Sequence, residues 1–216
     1  MHGIRYRWNS AIPALMPRAI HRLSDRDRVC ITIDDAPSGN TLDVLLELSL
    51  RRAIPLTFFL RGDMTEQFPD IAAQIVSAGH EVGSHGYRHI PSRLLDAERL
   101  NDDIQRSIQV IDDVCGTRPV LYRPPYGRLS PMLSGLPAKH GCRTILWNRM
   151  PDDWDPSIST ATLTKRLNEV SGGDIVVLHE HPGRQSMLAA AVDALANALE
   201  RKDLIASTIT DAEGLT

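Results

Sequence analysis

Val29-Cys30-Ile31-Thr32-Ile33-Asp34-Asp35 is a short, β-rich apolar run that stops at two adjacent carboxylates, and the same design recurs along the chain. His85 and His89 follow His80-Glu81-Val82-Gly83-Ser84, and Arg123 opens Arg123-Pro124-Pro125-Tyr126-Gly127. Asp153-Trp154 follows Thr144–Trp147, and His179 closes Asp174-Ile175-Val176-Val177-Leu178. The strand candidates, about seven, are Val29–Ile33, Leu56–Leu60, Glu81–Ser84, Leu121–Arg123, Thr144–Trp147, Ile175–Leu178 and Ile205–Ile209. They are short, β-branched and not alternating, as expected of strands covered on both faces. Helix candidates lie between them: Thr41–Arg52, Phe68–Ala78, Ala97–Cys115, Leu163–Val170 and Met187–Arg201. Pro69 and Gly79 punctuate the second, and Leu100, Ile104, Ile108, Ile111 and Val114 form one stripe on the third before Gly116. Repeated strand–helix units predict a parallel α/β sheet, and the length favours a small distorted (β/α) barrel over a full eight-stranded one. In such a fold the carboxyl ends of the strands open on one face, so the polar residues that end the runs converge there.

The 216 residues suit one domain with a substantial core, spanning 27–216 after an N-terminal extension, 1–26. Net charge of −3 gives no electrostatic case for nucleic acid or an acidic membrane surface. No apolar stretch approaches the ~20 residues that span a bilayer. The first 22 residues are broken by Asn9, Ser10, Pro13 and Pro17 and make a poor signal peptide, so a cytoplasmic location is expected. Cys30, Cys115 and Cys142 read as free thiols rather than a disulfide framework.

Carboxylates, imidazoles and a guanidinium at one site are the groups of metal-assisted hydrolysis. Adjacent Asp34 and Asp35 can divide cation binding from a substrate-facing role; their plain alternative is capping of the helix that starts near Thr41. In a helical turn, His85 and His89 share one side and can share a cation, completing a two-His, one-carboxylate set with an Asp from another strand end. The Pro124-Pro125 pair leaves the Tyr126 N–H as a conspicuous donor. His179 suits proton donation near neutral pH, with His181 as the competing candidate. Trp147 reads as core and Trp154 as a sugar-facing ring.

In order, Thr32-Ile33-Asp34-Asp35, His85-Gly86-Tyr87-Arg88-His89, Arg123-Pro124-Pro125-Tyr126-Gly127, Asp153-Trp154 and Val177-Leu178-His179 resemble the five motifs of the polysaccharide deacetylases of carbohydrate esterase family 4, the nodulation-factor deacetylase type. The resemblance runs from about Val29 to Thr210. It implies Asp34 as general base, and Asp35, His85 and His89 as ligands of one divalent metal, zinc first, with cobalt, nickel or manganese as alternatives. It further implies Arg123 as the residue that orients Asp34, Asp153 as the partner of the general acid His179, and the Tyr126 N–H as an oxyanion donor. Trp154, Val177 and Pro125 become substrate contacts. Three positions depart from the family pattern: Ala36 for Gly, Met150 for Asp and Val177 for Leu. The implied activity is removal of acetyl groups from N-acetylated glycans, of chito-oligosaccharide or peptidoglycan type. The alternatives are O-acetyl ester or non-sugar amide hydrolysis at the same site, and a catalytically idle carbohydrate-binding module.

Overall fold

The structure is a computed structural model and describes residues 18–38 and 42–215. Most of the N-terminal extension, and Thr41 at the expected helix start, lie outside the described residues. Seven parallel strands form one sheet: β1 (Arg28–Ala36), β2 (Thr57–Leu60), β3 (Glu81–Ser84), β4 (Leu121–Tyr122), β5 (Arg143–Thr144), β6 (Ile175–His179) and β7 (Ile205–Ala206). Their order is β5-β4-β3-β2-β1-β6, with β7 paired to the start of β1. The sheet curls until its ends meet: beyond β5, Arg149 bridges Val176 of β6, with Val177 N–H donating to the Arg149 carbonyl at 2.9 Å. This is the distorted barrel expected of the chain.

Helices α1 (Asp43–Arg52), α2 (Gly62–Gln67), α3 (Pro69–Ser77), α4 (Ala97–Cys115), α5 (Leu136–Lys139), α6 (Thr160–Leu167), α7 (Gln185–Arg201) and α8 (Ile209–Glu213) surround the strands. Local chemistry sets their ends. Asp96 caps α4 by accepting the Arg99 N–H, and Gly116 ends it in the left-handed region. Ser159 and Thr208 cap α6 and α8 in the same way. The run 205–209 is therefore not one strand: it is two strand residues followed by a capped helix.

Alternate residues of β1 and β6 separate two cores. Val29, Ile31, Ile33, Val176 and Leu178 pack outward under α1 and α7. Cys30, Ile175 and Val177 point inward with Phe59, Leu121, Ile145 and Trp147. The inward row of β1 runs Cys30, Thr32, Asp34 and that of β6 runs Ile175, Val177, His179, so an apolar interior ends in a polar rim. The described residues before 27 join this packing: Ile20 bridges Ile145, and Leu23 is buried in the inner core. Among the described residues, no helix is long and apolar enough to cross a membrane. Cys30, Cys115 and Cys142 are free thiols.

Candidate active site

Asp34 and His179 are register partners on neighbouring parallel strands, which brings a carboxylate and an imidazole side by side at the barrel rim. Adjacent residues of a regular strand point to opposite faces, so Asp35 would be expected outside. A β-bulge prevents this: Asp34 pairs with Phe59 and Ala36 with Leu60, leaving Asp35 unpaired at φ 70° and turned to the cavity. The carboxylates do not cap α1, whose N-cap is Leu42.

His85 directly follows β3, and His89 is brought back beside it by a bent loop. The helical turn expected here does not form, because Gly86 at φ 76° and His89 at φ 54° are both left-handed. The imidazole rings nevertheless lie 4.9 Å apart. His89 Nε2 is 3.1 Å and His85 Nε2 3.9 Å from Asp35 Oδ1. His85 Nδ1 lies 2.8 Å from the Arg123 carbonyl, an arrangement in which Nδ1–H donates and the Nε2 lone pair faces the carboxylates. Burial holds both imidazoles down to about 4, so they are neutral near pH 7. Asp35 Oδ1 is buried and accepts no hydrogen bond. Two neutral nitrogens facing an unsatisfied carboxylate oxygen, all within 4.8 Å, form a donor set that fits a divalent cation.

Arg123 is fully buried at the end of β4. Its Nη1 donates to Asp34 Oδ1 at 2.6 Å and to Thr32 Oγ1 at 2.7 Å, its Nη2 donates to the Leu146 carbonyl at 3.2 Å, and its guanidinium lies 3.9 Å from the Phe59 ring centroid. Burial alone would raise the Asp34 carboxyl, but Arg123, His85 and His179 outweigh it and hold it below its ordinary value. Across the rim, His179 Nδ1 is 3.0 Å from Asp153 Oδ1, while the His179 N–H donates to Asp153 Oδ2 at 2.7 Å. Burial alone would lower His179; the hydrogen bond and charge of Asp153, with Asp34 and Asp35, push it up to about 9. His181 faces the same cavity with no hydrogen-bond partner on its buried Nε2.

The cavity is about 350 Å³ and is lined by Asp34, Asp35, His85, His89 and His179 on its polar side. Trp147, Met150, Trp154 and Tyr126 supply most of the rest. Tyr126 is in the left-handed region, its ring 4.4 Å from His89, and among the described residues its N–H has no acceptor. Val177 and Pro125 do not line the cavity: both are buried, Val177 one inward position below His179. Met150 was visible in the sequence only as a departure from a motif; the structure puts it on the cavity wall.

A family model described as polysaccharide deacetylase matches residues 22–145, more than half of the chain. The chain belongs to the polysaccharide deacetylases of carbohydrate esterase family 4. Asp153, Trp154 and His179 lie beyond the matched segment, and similar solved structures extend over them. A family 4 carbohydrate esterase from Streptomyces lividans, in complex with acetate, is 29% identical with a TM-score of 0.77, covering 87% of this chain and 94% of that one. A mutant of BA3943, a family 4 pseudoenzyme of Bacillus anthracis, with restored enzymatic activity, is 26% identical with a TM-score of 0.83, covering 91% and 71%. Among curated proteins, the bifunctional xylanase/xylan deacetylase of Cellvibrio japonicus is 27% identical over 86% of this chain and 28% of its own length. Others are deacetylases of peptidoglycan and chitooligosaccharide. The chain spans 28% to 62% of the lengths of the first curated relatives it matches.

Proposed function

We propose that this chain is a metal-dependent deacetylase that releases acetate from N-acetylated glycans. The observation that carries the reading is that Asp34, hydrogen-bonded to Arg123, and His179, hydrogen-bonded to Asp153, line one cavity with the Asp35–His85–His89 donor set. Asp35, His85 and His89 would hold the cation, zinc by its preference for two imidazoles and a carboxylate. When bound there, the cation supplies Lewis acidity toward water and the acetamide carbonyl. Asp34, ionised and held by Arg123, takes a proton from the attacking water. The Tyr126 N–H donates to the oxygen that gains negative charge as the carbonyl carbon becomes tetrahedral. His179, protonated at neutral pH, gives its proton to the nitrogen as the carbon–nitrogen bond breaks. The products are acetate and an amino sugar.

Trp154, 43% exposed at the mouth, offers a ring for a sugar face, and the polar groups lie deeper, as a surface glycan needs. A second reading, O-acetyl ester hydrolysis at the same site, draws support from the xylan deacetylase relative. An idle binding module is disfavoured by the retention of both acid–base pairs beside the donor set. The test is acetate release from chito-oligosaccharides and from acetylated xylan, before and after EDTA treatment. The proposal expects EDTA-sensitive release from the amide substrate; release from xylan alone supports the ester reading, and no release from either sinks both.

A further inference from the structure

Two of the three candidate ligands sit on one short bent loop whose course is set from outside it. Asp103, half-buried on α4, accepts the Tyr87 N–H at Oδ2 (2.9 Å) and the Arg88 N–H at Oδ1 (3.1 Å). Both donors lie between His85 and His89. From the other side, the first N–H groups of α2 reach the same loop: Gly62 to the Gly86 carbonyl and Asp63 to the Tyr87 carbonyl, each at 3.0 Å. The Tyr87 hydroxyl donates to Glu66 at 2.7 Å, and Arg106 lies 3.8 Å from the centre of its ring. A Cβ on Gly86 would meet Asp103 Oδ2 at 2.8 Å, so the carboxylate approaches as closely as it does only because residue 86 is glycine.

We infer that Asp103 is a positioning residue for the metal site: by gathering the Tyr87 and Arg88 amides on one carboxylate, it fixes the turn that carries His89 back to Asp35. The inference rests on the reading of Asp35, His85 and His89 as metal ligands. Asp103 touches neither ligand side chain, and its effect is on the fraction of loop conformations in which both imidazoles face Asp35. A site that is competent only part of the time binds its ligand more weakly by that fraction. Outer supports of metal ligands are typically worth about 10- to 100-fold in affinity.

The experiment titrates the full chain, stripped of metal, with zinc against a competing chelator, for wild type, Asp103→Ala and Asp103→Asn. Amide hydrogen exchange at Tyr87 and Arg88 is followed in the metal-free proteins. Asp103→Ala is expected to bind zinc about 10- to 100-fold more weakly. Asp103→Asn, which keeps one acceptor, should fall between it and wild type, with faster exchange at the two amides in both variants. A merely structural Asp103 would lower the unfolding midpoint and leave the zinc affinity of the folded protein unchanged. Affinity within twofold of wild type in folded Asp103→Ala, or in Asp103→Asn where the alanine variant does not fold, overturns the inference alone. A wild-type chain that takes up no zinc overturns the metal reading and this inference with it.

Discussion

His179 must carry a proton when the nitrogen leaves, and Asp34 must lack one when water attacks, so turnover should occupy a pH window. Its upper limit is expected near 9, where His179 deprotonates; on the acid side Asp34, held below its ordinary value, stays ionised, and protonation of the ligands His85 and His89 at about 4 closes the window first. In Asp153→Asn the hydrogen bond and charge that raise His179 are gone, so the upper limit of the kcat/KM profile should move to lower pH. An unmoved limit would assign it to another group. The same shifts carry stability. His179 is raised in the folded state, so its contribution is complete below about 6.5 and lost as pH climbs through about 9. Asp34 is depressed, so its contribution is present above its unfolded value and lost as pH falls. Asp34→Asn should keep bound zinc while lowering turnover by about 10²- to 10⁴-fold. Near wild-type turnover in that variant would place the base elsewhere. The preference for His179 over His181 was legible because His179 directly ends an apolar run, and it is His179 that meets Asp153.

Two small departures from regular secondary structure assemble the candidate site: the bulge at Asp35 and the left-handed turn at Gly86. Neither leaves a trace in hydrophobic periodicity, so the motif residues were legible while the geometry that joins them was not. The spacing of His85 and His89 suggested a helical turn, yet proximity comes from a strand end and a returning loop. Gly86→Ala should cost about 1 kcal/mol or more from the left-handed backbone alone, with further loss from the contact with Asp103, measurable as a lower urea midpoint. A midpoint equal to wild type would show that the turn relaxes freely. Elements with strong local signals matched their expected ends, above all Ala97–Cys115 between Asp96 and Gly116. Those that escaped notice are short and depend on neighbours: α2, α5 and the Arg149 bridge. α8 is a different case, since Thr208 and Asp211 stand at capping spacing but sat within a run that read as a strand.

Across the whole molecule, the far end of the barrel is tied together by Glu81. Its carboxylate accepts the Thr57 hydroxyl at 2.6 Å and the Ile209 and Thr210 N–H groups at 2.9 and 3.0 Å, joining β2, β3 and the start of α8. Glu81→Ala removes a charged acceptor from two helix amides and should lower stability by on the order of 2 kcal/mol in denaturant unfolding; a loss under about 0.5 kcal/mol would mean that water replaces it freely. The sheet order has a further meaning for how the chain is made. β1 is the hub, paired with β2, the next strand in sequence, but also with β6 and β7, which are made only after β3, β4 and β5. At about 5–20 residues per second, a ribosome leaves that hub without its later neighbours for on the order of ten seconds. Throughout that interval the nascent polypeptide presents an open strand edge beside apolar side chains, the kind of surface that chaperones bind and that other unfinished chains can pair with. Completion of the barrel thus waits for β6 and β7, and stalled chains that end before Ile175 should be digested by protease where chains that include both strands resist.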